Sequence, residues 1–476
     1  MSAVLWTADD IALATGGRAN APFDAYGLSI DTRTLKPGDL FVALADQRDG
    51  HDFVGAADAA GAAGALVSQP VDGERPRIVV SDVLKALEAL AIAARARSGA
   101  VRCAVTGSVG KTSVKEMLAQ IFKAAAPAHW PESSFNNHWG VPLTLARMPA
   151  ETARAIFEIG MSTPGEIAPR SRLVRPHHAL ITKIAPAHLE GVGSIEGVAE
   201  EKADIFAGLE AHGTIMVPED DRFRDFLATK GRTFAPSADV LSFGKGDTAT
   251  ARLMGVDSDG FGSVARVKLD GAEVAISLRA VGEHWGLNAA AALLTAWRTG
   301  ITPQDAAAAL EGFGPPPGRG TAETLVLPDG TAALLIDDAY NANPESMRAA
   351  LAALAERPGA RKLAALGEML EIGAGSDAAH AQLAEPIERA KVAEVFLAGA
   401  AMTALKVALP DAIGVRQGAT ALDVAAHLKN TLRDGDTLLI KGSNASGMGK
   451  LVEELRHWSR ENQRAMDAAQ NGSRGV

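Results

Sequence analysis

The segment TGSVGKTS, residues 106–113, constrains the fold of this chain more than any other feature of its sequence. It follows an apolar stretch and precedes residues whose apolar positions recur at helical spacing, which predicts a strand, a glycine-rich turn and a helix. Backbone N–H groups of such a turn, with the N-terminus of the helix, can surround phosphate oxygens. Lys111 is then placed to reach the terminal phosphates, and Thr112 to offer its hydroxyl to Mg²⁺. The spacing differs from the standard P-loop, because two residues rather than four separate Gly107 from Gly110.

The overall composition favours a cytoplasmic protein of several domains. A length of 476 residues indicates about three domains. The 47 Lys and Arg against 57 Asp and Glu give a net charge of −10, which disfavours proteins that coat nucleic acid or anionic membranes. A single cysteine, Cys103, fits a reducing compartment. We expect no signal peptide and no membrane insertion, because the first residues carry acids and no apolar run approaches about 20 residues.

Short apolar strands alternate with alanine-rich helices along the chain, a pattern typical of α/β folds. We predict three blocks, over residues 1–84, 85–314 and 315–476. The segment GFGPPPGRG at 312–320 marks the second boundary, because three prolines flanked by glycines end both helices and central strands. The polar stretch 459–476 is expected to be disordered. The predicted parallel strands of the second block are Arg102–Val105, Ala155–Ile159, Ala179–Ile184 and Thr214–Val217, followed by a hairpin with Asp270 and Gly271 in its turn.

Three further side chains suggest a metal site beside the phosphate loop. Glu158 ends an apolar strand, where a carboxylate next to the loop can bind Mg²⁺. Lys202 stands within the apolar stripe of a predicted helix, and burial there lowers the pKa of a lysine, whose neutral amine can react with CO₂. The resulting carbamate is an oxygen ligand suited to a second Mg²⁺, and His188, a short segment upstream, is a candidate imidazole ligand. Each has an ordinary alternative: a solvated strand end, a lysine reaching solvent, and a structural histidine.

Together these features resemble the Mur ligase superfamily of ATP-dependent amide-bond-forming enzymes. The resemblance covers nearly the whole chain. It includes SIDTRTLKPGDLFVAL and DGHDF near the N-terminus, SFNNHWGVPLTL at 134–145, LIDDAYNANPESM at 335–347, LGEMLEIG at 366–373 and LIKGSNASGM at 439–448. It implies a UDP-sugar-binding N-terminal domain, a central P-loop-type ATPase domain and a Rossmann-like C-terminal domain. The more selective motifs imply ligation of D-alanyl-D-alanine to UDP-N-acetylmuramoyl-tripeptide through an acyl phosphate.

The resemblance also implies roles for particular residues. Two Mg²⁺ ions would be bound, one by Thr112 and Glu158 and the other by His188 and carbamylated Lys202. Arg319 would approach the γ-phosphate as a catalytic residue with Lys111, His188 and Lys202. The remaining ATP-binding candidates are Thr106, Gly107, Ser108, Gly110, Ser113, Asn288, Asp337 and Tyr340, with Asp337 on the ribose and Asp338 only a strand-end cap. The substrate-binding candidates are Ser29, Thr32, Arg33, Asp49 and His51 for the UDP moiety, and Asn136, Asn137 and His138 for the peptide.

Several alternatives stay open at this point. Asn288 is otherwise a surface amide, Arg319 a linker anchor, and Ser29 and Thr32 turn formers. The sequence departs from the family pattern at Asn444, where arginine is common after KGS, and at His138, where an acid is common. Competing functions are a Mur ligase that adds the third residue, folylpolyglutamate synthase, a P-loop kinase, and a catalytically idle regulator that binds UDP-sugar peptides. We expect small-molecule substrates, no nucleic acid partner and a monomer. Diaminopimelate and lysine are both open for the third peptide residue.

Overall fold

A computed structural model describes residues 3–73, 75–187 and 189–473 of the chain. The N-terminal part carries a five-stranded sheet of order β2-β7-β6-β5-β4, in which only the β2–β7 pair is antiparallel. A separate antiparallel pair joins β1 to β3. The elements of this part are β1 (Trp6–Thr7), α1 (Ala8–Thr15), β2 (Arg18–Ala19), β3 (Asp24–Ala25), β4 (Gly27–Ser29), β5 (Asp39–Val42), α2 (Val54–Ala59), β6 (Gly64–Val67), β7 (Arg77–Val79) and α3 (Val83–Arg97).

The central part is built on a nine-stranded sheet of order β16-β15-β14-β13-β12-β11-β8-β10-β9. The pairs from β9 to β14 are parallel, and β14, β15 and β16 form an antiparallel meander. The elements are β8 (Val101–Thr106), α4 (Lys111–Ala125), β9 (Ala128–His129), α5 (Gly140–Ala146), β10 (Arg154–Glu158), α6 (Ile167–Val174), β11 (His178–Ile181), α7 (Leu189–Val192), α8 (Ile195–Ala203), β12 (Thr214–Pro218), α9 (Arg224–Phe234), β13 (Asp239–Gly244), β14 (Ala251–Ser258), β15 (Ser263–Leu269), β16 (Ala272–Leu278), α10 (Glu283–Arg298) and α11 (Pro303–Ala309).

The C-terminal part holds a six-stranded sheet of order β17-β18-β22-β19-β20-β21, parallel except for its edge strand β17. The elements are β17 (Thr321–Val326), β18 (Ala332–Asp338), α12 (Pro344–Glu356), β19 (Lys362–Gly367), α13 (Ser376–Ala381), α14 (Ala384–Arg389), β20 (Val392–Ala398), α15 (Thr403–Ala408), β21 (Gly414–Gly418), α16 (Ala425–Thr431), β22 (Thr437–Lys441) and α17 (Met448–Ser473). Single 3-10 turns occur at Gly50–Phe53, Asp204–Gly208, Gly373–Gly375 and Asn444–Ser446.

Both larger sheets are covered on two faces, which explains their nearly continuous apolar strands. In β8, Cys103 and Val105 pack into one core with α4 and α10, while Ala104 packs into the opposite core with α6 and α8. In β18, Leu335 and Ile336 divide in the same way between two cores. The predicted α/β fold is therefore confirmed, as are the four parallel strands of the second block and the hairpin at Asp270.

The ends of the N-terminal and C-terminal parts differ from the sequence-based expectations. Helix α3 packs its apolar face with Trp6 and Ile11 of the first domain and also contacts Leu143 of α5, so the boundary predicted after residue 84 falls on a helix that both parts share. The disorder predicted for 459–476 is wrong as far as Ser473, because α17 continues through it. Ser459 Oγ accepts a hydrogen bond from Val326 N at 2.8 Å, and Asn462 Nδ2 donates to Val326 O at 2.9 Å. Polar side chains thus attach this helix to the edge strand β17.

The linker predicted at 312–320 lies between α11 and β17 and contains neither helix nor strand. Among the described residues, no helix has both the length and the apolar character needed to span a bilayer.

Candidate active site

The phosphate loop predicted from the sequence lies between β8 and α4, as expected. Gly107 and Gly110 adopt φ values of 151° and 84°, which glycine tolerates and other residues rarely adopt. A Cβ at Gly107 would also lie 1.9 Å from Thr182 Oγ1. The loop therefore needs glycine both for its backbone and for its close approach to the neighbouring segment.

Side-chain hydrogen bonds join this loop to the segment that follows β11. Ser108 Oγ donates to Ala185 O at 2.8 Å and accepts from Ala185 N at 3.0 Å. Lys111 Nζ donates to Gly107 O at 2.6 Å, so the lysine folds back over the loop. Burial lowers the pKa of Lys111, although the Glu158 carboxylate opposes this shift. The hydroxyl of Thr106 is fully buried and has no hydrogen-bond partner among the described residues.

Glu158 lies beside the loop because β10 and β8 are parallel neighbours, with Glu158 paired to Val105. Thr112 Oγ1 donates to Glu158 Oε2 at 2.9 Å, and Asn136 Nδ2 donates to Glu158 Oε1 at 2.8 Å. A hydroxyl and a carboxylate side by side are hard oxygen donors of the kind Mg²⁺ takes together with phosphate oxygens. The described residues contain no group of three or more His, Cys, Asp and Glu side chains placed to bind a metal ion. The donor set thus fits Mg²⁺ held jointly with a nucleotide.

Lys202 is buried in the apolar face of α8, as the sequence predicted, with a relative exposure of 1%. Val198, Ala199 and Ala203 of the same helix are also buried. Burial and then the positive charge of Lys111 lower the pKa of Lys202 well below its ordinary value. His188, the other predicted ligand of the second ion, lies outside the described residues.

Arg319 reaches the phosphate loop from the linker. Its Nη2 donates to Thr112 Oγ1 at 2.9 Å, and its guanidinium lies 4.3 Å from the centre of the Tyr340 ring. The structure therefore brings Arg319, Thr112 and Glu158 into one cluster and places Tyr340 against it.

A cleft of about 240 Å³ runs from this cluster between the central and C-terminal parts. One wall is a stripe of α12, where Ala349, Ala350 and Ala353 leave space, and the other includes the start of α10. Asn288 lines the cleft next to the loop, since a Cβ at Gly110 would lie 2.7 Å from Asn288 Oδ1. The predicted residues that line the cleft are Ser108, Gly110, Ser113, Asn288 and Arg319.

Asp337, the predicted ribose contact, does not line the cleft. Its Oδ2 lies 3.0 Å from Arg456 Nη2 of α17, and its Oδ1 accepts from Ala339 N. Asp338, which was predicted to be only a cap, lines the cleft and forms an ion pair with Lys441 at 2.8 Å. Successive residues of a strand point to opposite faces, so only one of the two carboxylates can enter the cleft.

Further residues of the cleft were missed. Lys441 lines the cleft and belongs to the KGS motif, but the sequence analysis predicted no role for this lysine. His284 lines the cleft at the start of α10, and burial, with the charge of Lys441, lowers the pKa of His284 to about 4. Arg357 is 5% exposed, and its Nε has no hydrogen-bond partner among the described residues. An isolated arginine after a helix gives no sequence signal, so Arg357 was not predictable.

The peptide-binding candidates have different surroundings. Asn136 contacts Glu158, as described above. Asn137 Oδ1 accepts from Gly140 N at 2.8 Å and so pairs the first backbone N–H of α5. His138 is exposed. Of these three candidates, Asn136 and Asn137 have side-chain hydrogen bonds within the described part of the chain, and His138 is the exposed one.

The UDP candidates lie in the N-terminal part and do not line the cleft. Asp49 Oδ1 lies 2.6 Å from His51 Nδ1, and His51 Nε2 accepts from Ser68 N at 2.9 Å, so both ring nitrogens have partners inside the fold. Ser29 Oγ donates to the backbone oxygen of Asp31, which makes Ser29 a turn former. Strand β4 ends at Ser29, and the predicted strand SIDTR continues as a turn.

The two remaining UDP candidates, Thr32 and Arg33, are accessible to solvent. Thr32 is partly exposed, and the side chain of Arg33 is 86% exposed, where it pairs with Asp31 at 2.6 Å.

Comparisons with known proteins agree with this geometry. Residues 105–296 match the sequence family of the Mur ligase middle domain, and residues 326–444 match the Mur ligase glutamate ligase domain. A UDP-N-acetylmuramoyl-tripeptide–D-alanyl-D-alanine ligase of Escherichia coli (strain K12) is 37% identical over 438 residues, covering 90% of this chain and 93% of that protein. Crystal structure I of MurF from Acinetobacter baumannii superposes with a TM-score of 0.82 at 28% identity, over 94% of this chain and 98% of the other.

The fold is also shared with the MurF ligase of Thermotoga maritima in complex with ADP, at a TM-score of 0.77 and 23% identity, over 92% of this chain and 98% of that chain. The 37% identity to the Escherichia coli ligase extends over nine-tenths of both sequences, and the three-part fold is shared. The chain belongs to the Mur ligase family and, within it, to the UDP-N-acetylmuramoyl-tripeptide–D-alanyl-D-alanine ligases.

Proposed function

We propose that this chain joins D-alanyl-D-alanine to UDP-N-acetylmuramoyl-tripeptide with the hydrolysis of ATP to ADP and phosphate. The observation that carries the proposal is the cluster of Thr112, Glu158 and Arg319, which joins the phosphate loop to the linker of the C-terminal part. A site assembled from two parts of the chain suits a reaction in which ATP and two further substrates must meet. Family membership supports the choice of substrates.

The first chemical step makes the tripeptide carboxylate reactive. A carboxylate oxygen attacks the γ-phosphorus of ATP, the bond from that phosphorus to the bridging oxygen breaks, and an acyl phosphate and ADP result. Lys111 and Arg319 contact the phosphate loop and the start of α4, and with the N–H groups there they would offset the charge on the transferring phosphoryl group. Asn288 and Asp338 line the cleft that accepts the rest of the nucleotide.

The second step forms the amide bond. The neutral amine of D-alanyl-D-alanine attacks the acyl carbon, the nitrogen loses a proton to water, and the C–O bond to phosphate breaks as the tetrahedral intermediate collapses. Phosphorylation supplies the leaving group that a free carboxylate lacks.

Two Mg²⁺ sites belong to this proposal. Thr112 and Glu158 would hold the first ion with phosphate oxygens, and Mg²⁺ there would neutralise phosphate charge. His188 and a carbamate on Lys202 would hold the second. The neutral Lys202 amine attacks the carbon of CO₂, an N–C bond forms, and the nitrogen loses a proton to water, which leaves a carbamate with one negative charge. The burial of Lys202 and its lowered pKa support this step.

The proposal narrows the candidates for the two ends of the UDP-linked substrate. Thr32 and Arg33 have side chains available for the UDP moiety, whereas Ser29, Asp49 and His51 shape the turns around it. His138 is the candidate for the peptide, while Asn136 and Asn137 support the site. Because ATP and UDP-linked precursors are cytoplasmic compounds, the proposed place of action is the cytoplasm. A monomer is the proposed working unit.

A phosphate-release assay tests the function directly. ATP, Mg²⁺, UDP-N-acetylmuramoyl-tripeptide and D-alanyl-D-alanine are supplied together and then with each omitted in turn. We expect release only with the complete set. Equal release without D-alanyl-D-alanine would contradict the ligase, and binding of the UDP-peptide without any turnover would favour the idle regulator. Running the complete assay with diaminopimelate- and lysine-containing tripeptides identifies the third residue that the enzyme accepts.

A further inference from the structure

One arginine that lines the cleft has few partners in the protein. Arg357 is 5% exposed and directly follows α12, at the opposite end of that helix from Glu345. Among the described residues its side chain makes a single hydrogen bond, from Nη1 to Gly260 O at 3.5 Å, and its Nε has none. A guanidinium has five N–H donors, so most donors of Arg357 have no acceptor in the described part of the chain.

Burying such a side chain is unfavourable unless another molecule supplies acceptors, because buried charges in proteins are usually paired or hydrogen-bonded. No carboxylate of the described residues pairs with Arg357, and burial alone lowers the pKa of its guanidinium. The bond to Gly260 O is longer than the usual range of about 2.7–3.2 Å for N–H···O bonds. A ligand in the cleft is the remaining source of acceptors for Arg357.

The position of Arg357 along the cleft indicates which part of a nucleotide it meets. Glu345, at the start of α12, forms an ion pair with Lys183, and the Lys183 carbonyl accepts from Ser108 N of the phosphate loop. Residues 345 and 357 are 12 positions apart, or about 18 Å at about 1.5 Å per residue of helix. The wall between them carries the small side chains of Ala349, Ala350 and Ala353. A nucleotide with its phosphates on the loop therefore has its base as the part nearest to Arg357.

We infer that Arg357 is a base-recognition residue of the nucleotide site, whose guanidinium donates a hydrogen bond to a ring nitrogen of adenine. The inference rests on the proposed function, which makes ATP the occupant of the cleft. Arginine offers only donors, and the exocyclic amino group of adenine is also a donor. The ring nitrogens are therefore the acceptors on this base that Arg357 can use. Such a contact acts on nucleotide affinity and is remote from the reacting phosphate.

The bond to Gly260 suggests a structural alternative. Gly260 lies in the turn between β14 and β15, and a Cβ there would lie 2.6 Å from Pro358 Cδ. This turn therefore packs closely against the residue that follows Arg357. In the alternative, the only task of Arg357 is to hold the turn of the central part against the end of α12.

The experiment measures dissociation constants by calorimetry for Mg·ADP and its 1-deaza, 3-deaza and 7-deaza analogues. In each analogue a C–H replaces one ring nitrogen, so one acceptor is lost while the shape of the base is kept. We expect the wild type to bind at least one analogue about tenfold to a hundredfold more weakly than Mg·ADP, the range of one hydrogen bond to a charged group.

Arg357→Met removes the donors but keeps an unbranched side chain. It should weaken Mg·ADP by a similar factor, and it should bind the analogue that lacks the contacted nitrogen as well as it binds Mg·ADP. Arg389→Met is the matched control, because the side chain of Arg389 is 76% exposed on α14. This variant should match the wild type with all four nucleotides.

The same measurements separate base recognition from the structural alternative. A purely structural Arg357 would make Arg357→Met weaken all four nucleotides alike and lower the melting temperature. Equal penalties for all four nucleotides, or equal affinity of the wild type for Mg·ADP and every analogue, would overturn the inference. If Arg357→Met does not fold, Arg357→Lys decides the question. It keeps the charge and the apolar stem but has no N–H at the position of Nε, and it should show the same loss of discrimination between nucleotides.

The proposed function fails independently of these results. It fails if the wild type does not release phosphate with the complete substrate set, whereas the inference is measured by nucleotide binding alone. Wild-type protein that binds no Mg·ADP would overturn both.

Discussion

Arg319 and Thr112 are separated by 207 residues in the chain, yet Arg319 Nη2 donates a hydrogen bond to Thr112 Oγ1 over 2.9 Å. The linker after α11 thus places the guanidinium of Arg319 beside the first turn of α4. A second link between the two parts joins Lys183 to Glu345 at the start of α12. The C-terminal part is therefore closed over the phosphate loop, and the cleft lies between them.

Arg319→Met should lower kcat about a hundredfold or more, because the guanidinium offsets charge that develops on the transferring phosphoryl group. The affinity for Mg·ADP should change less, since that ligand lacks the γ-phosphate. Initial rates of phosphate release and calorimetry measure the two effects. Arg232→Met, an exposed position on α9, is the control. A fall in ADP affinity equal to the fall in kcat would assign Arg319 to ground-state binding.

Lys202→Ala should be nearly inactive, because it removes the nitrogen on which the proposed carbamate forms. Short-chain carboxylic acids should restore part of the activity by supplying a carboxylate in the vacated space. Lys85→Ala, on the exposed side of α3, should keep wild-type activity with and without the acid. Full activity of Lys202→Ala would make the lysine structural, and the absence of any rescue would argue against the carbamate.

The parts of the site that were predictable from the sequence are those fixed by local spacing. Strand β8, the glycine turn and helix α4 are contiguous, so the motif 106–113 determines all three. Glu158 was predictable because it ends a strand parallel to β8. Lys202 was predictable because a lysine interrupts an apolar stripe, which is visible without the partner helices.

What the sequence could not determine depends on contacts between distant residues. Asp337 and Asp338 are adjacent carboxylates, and the choice between them is made by Arg456 and Lys441, both more than a hundred positions away. The tail that contains Ser459 has a composition typical of disorder. Its bonds to the edge strand β17 join residues 133 and 136 positions apart, which composition does not reveal.

Asn136→Ala and Asn137→Ala should affect different properties, although the two residues are neighbours: the first should lower activity and the second should lower stability. Asn136→Ala removes a donor to Glu158 and should lower activity about tenfold, with little change in the melting temperature. Asn137→Ala removes the acceptor for the first N–H of α5 and should lower the free energy of unfolding by about 1 kcal/mol, with activity largely kept. Each variant is the control for the other. A loss of stability in Asn136→Ala equal to that in Asn137→Ala would contradict the distinction.

Gly107→Ala should abolish nucleotide binding, because the new methyl group would meet Thr182 Oγ1 and the backbone would be strained at a φ of 151°. Calorimetry with Mg·ADP measures the loss, which we expect to exceed about a hundredfold. Gly99→Ala is the matched control, since a Cβ there has nothing within 4 Å. Normal nucleotide affinity in Gly107→Ala would show that the loop can rearrange.

His178 should make the protein less stable in mild acid. Burial, with the nearby charge of Arg298, lowers the pKa of His178 from 6.5 to about 4. In that interval the unfolded chain binds a proton that the folded chain does not, so stability falls as the pH falls, by about 3 kcal/mol in total. His178→Gln should flatten this part of the curve of unfolding midpoint against pH, whereas His212→Gln, at an exposed position, should leave it unchanged. Equal slopes for wild type and His178→Gln would contradict this prediction. They would mean that His178 takes up its proton at the same pH in the folded and the unfolded chain, and such a group contributes no slope.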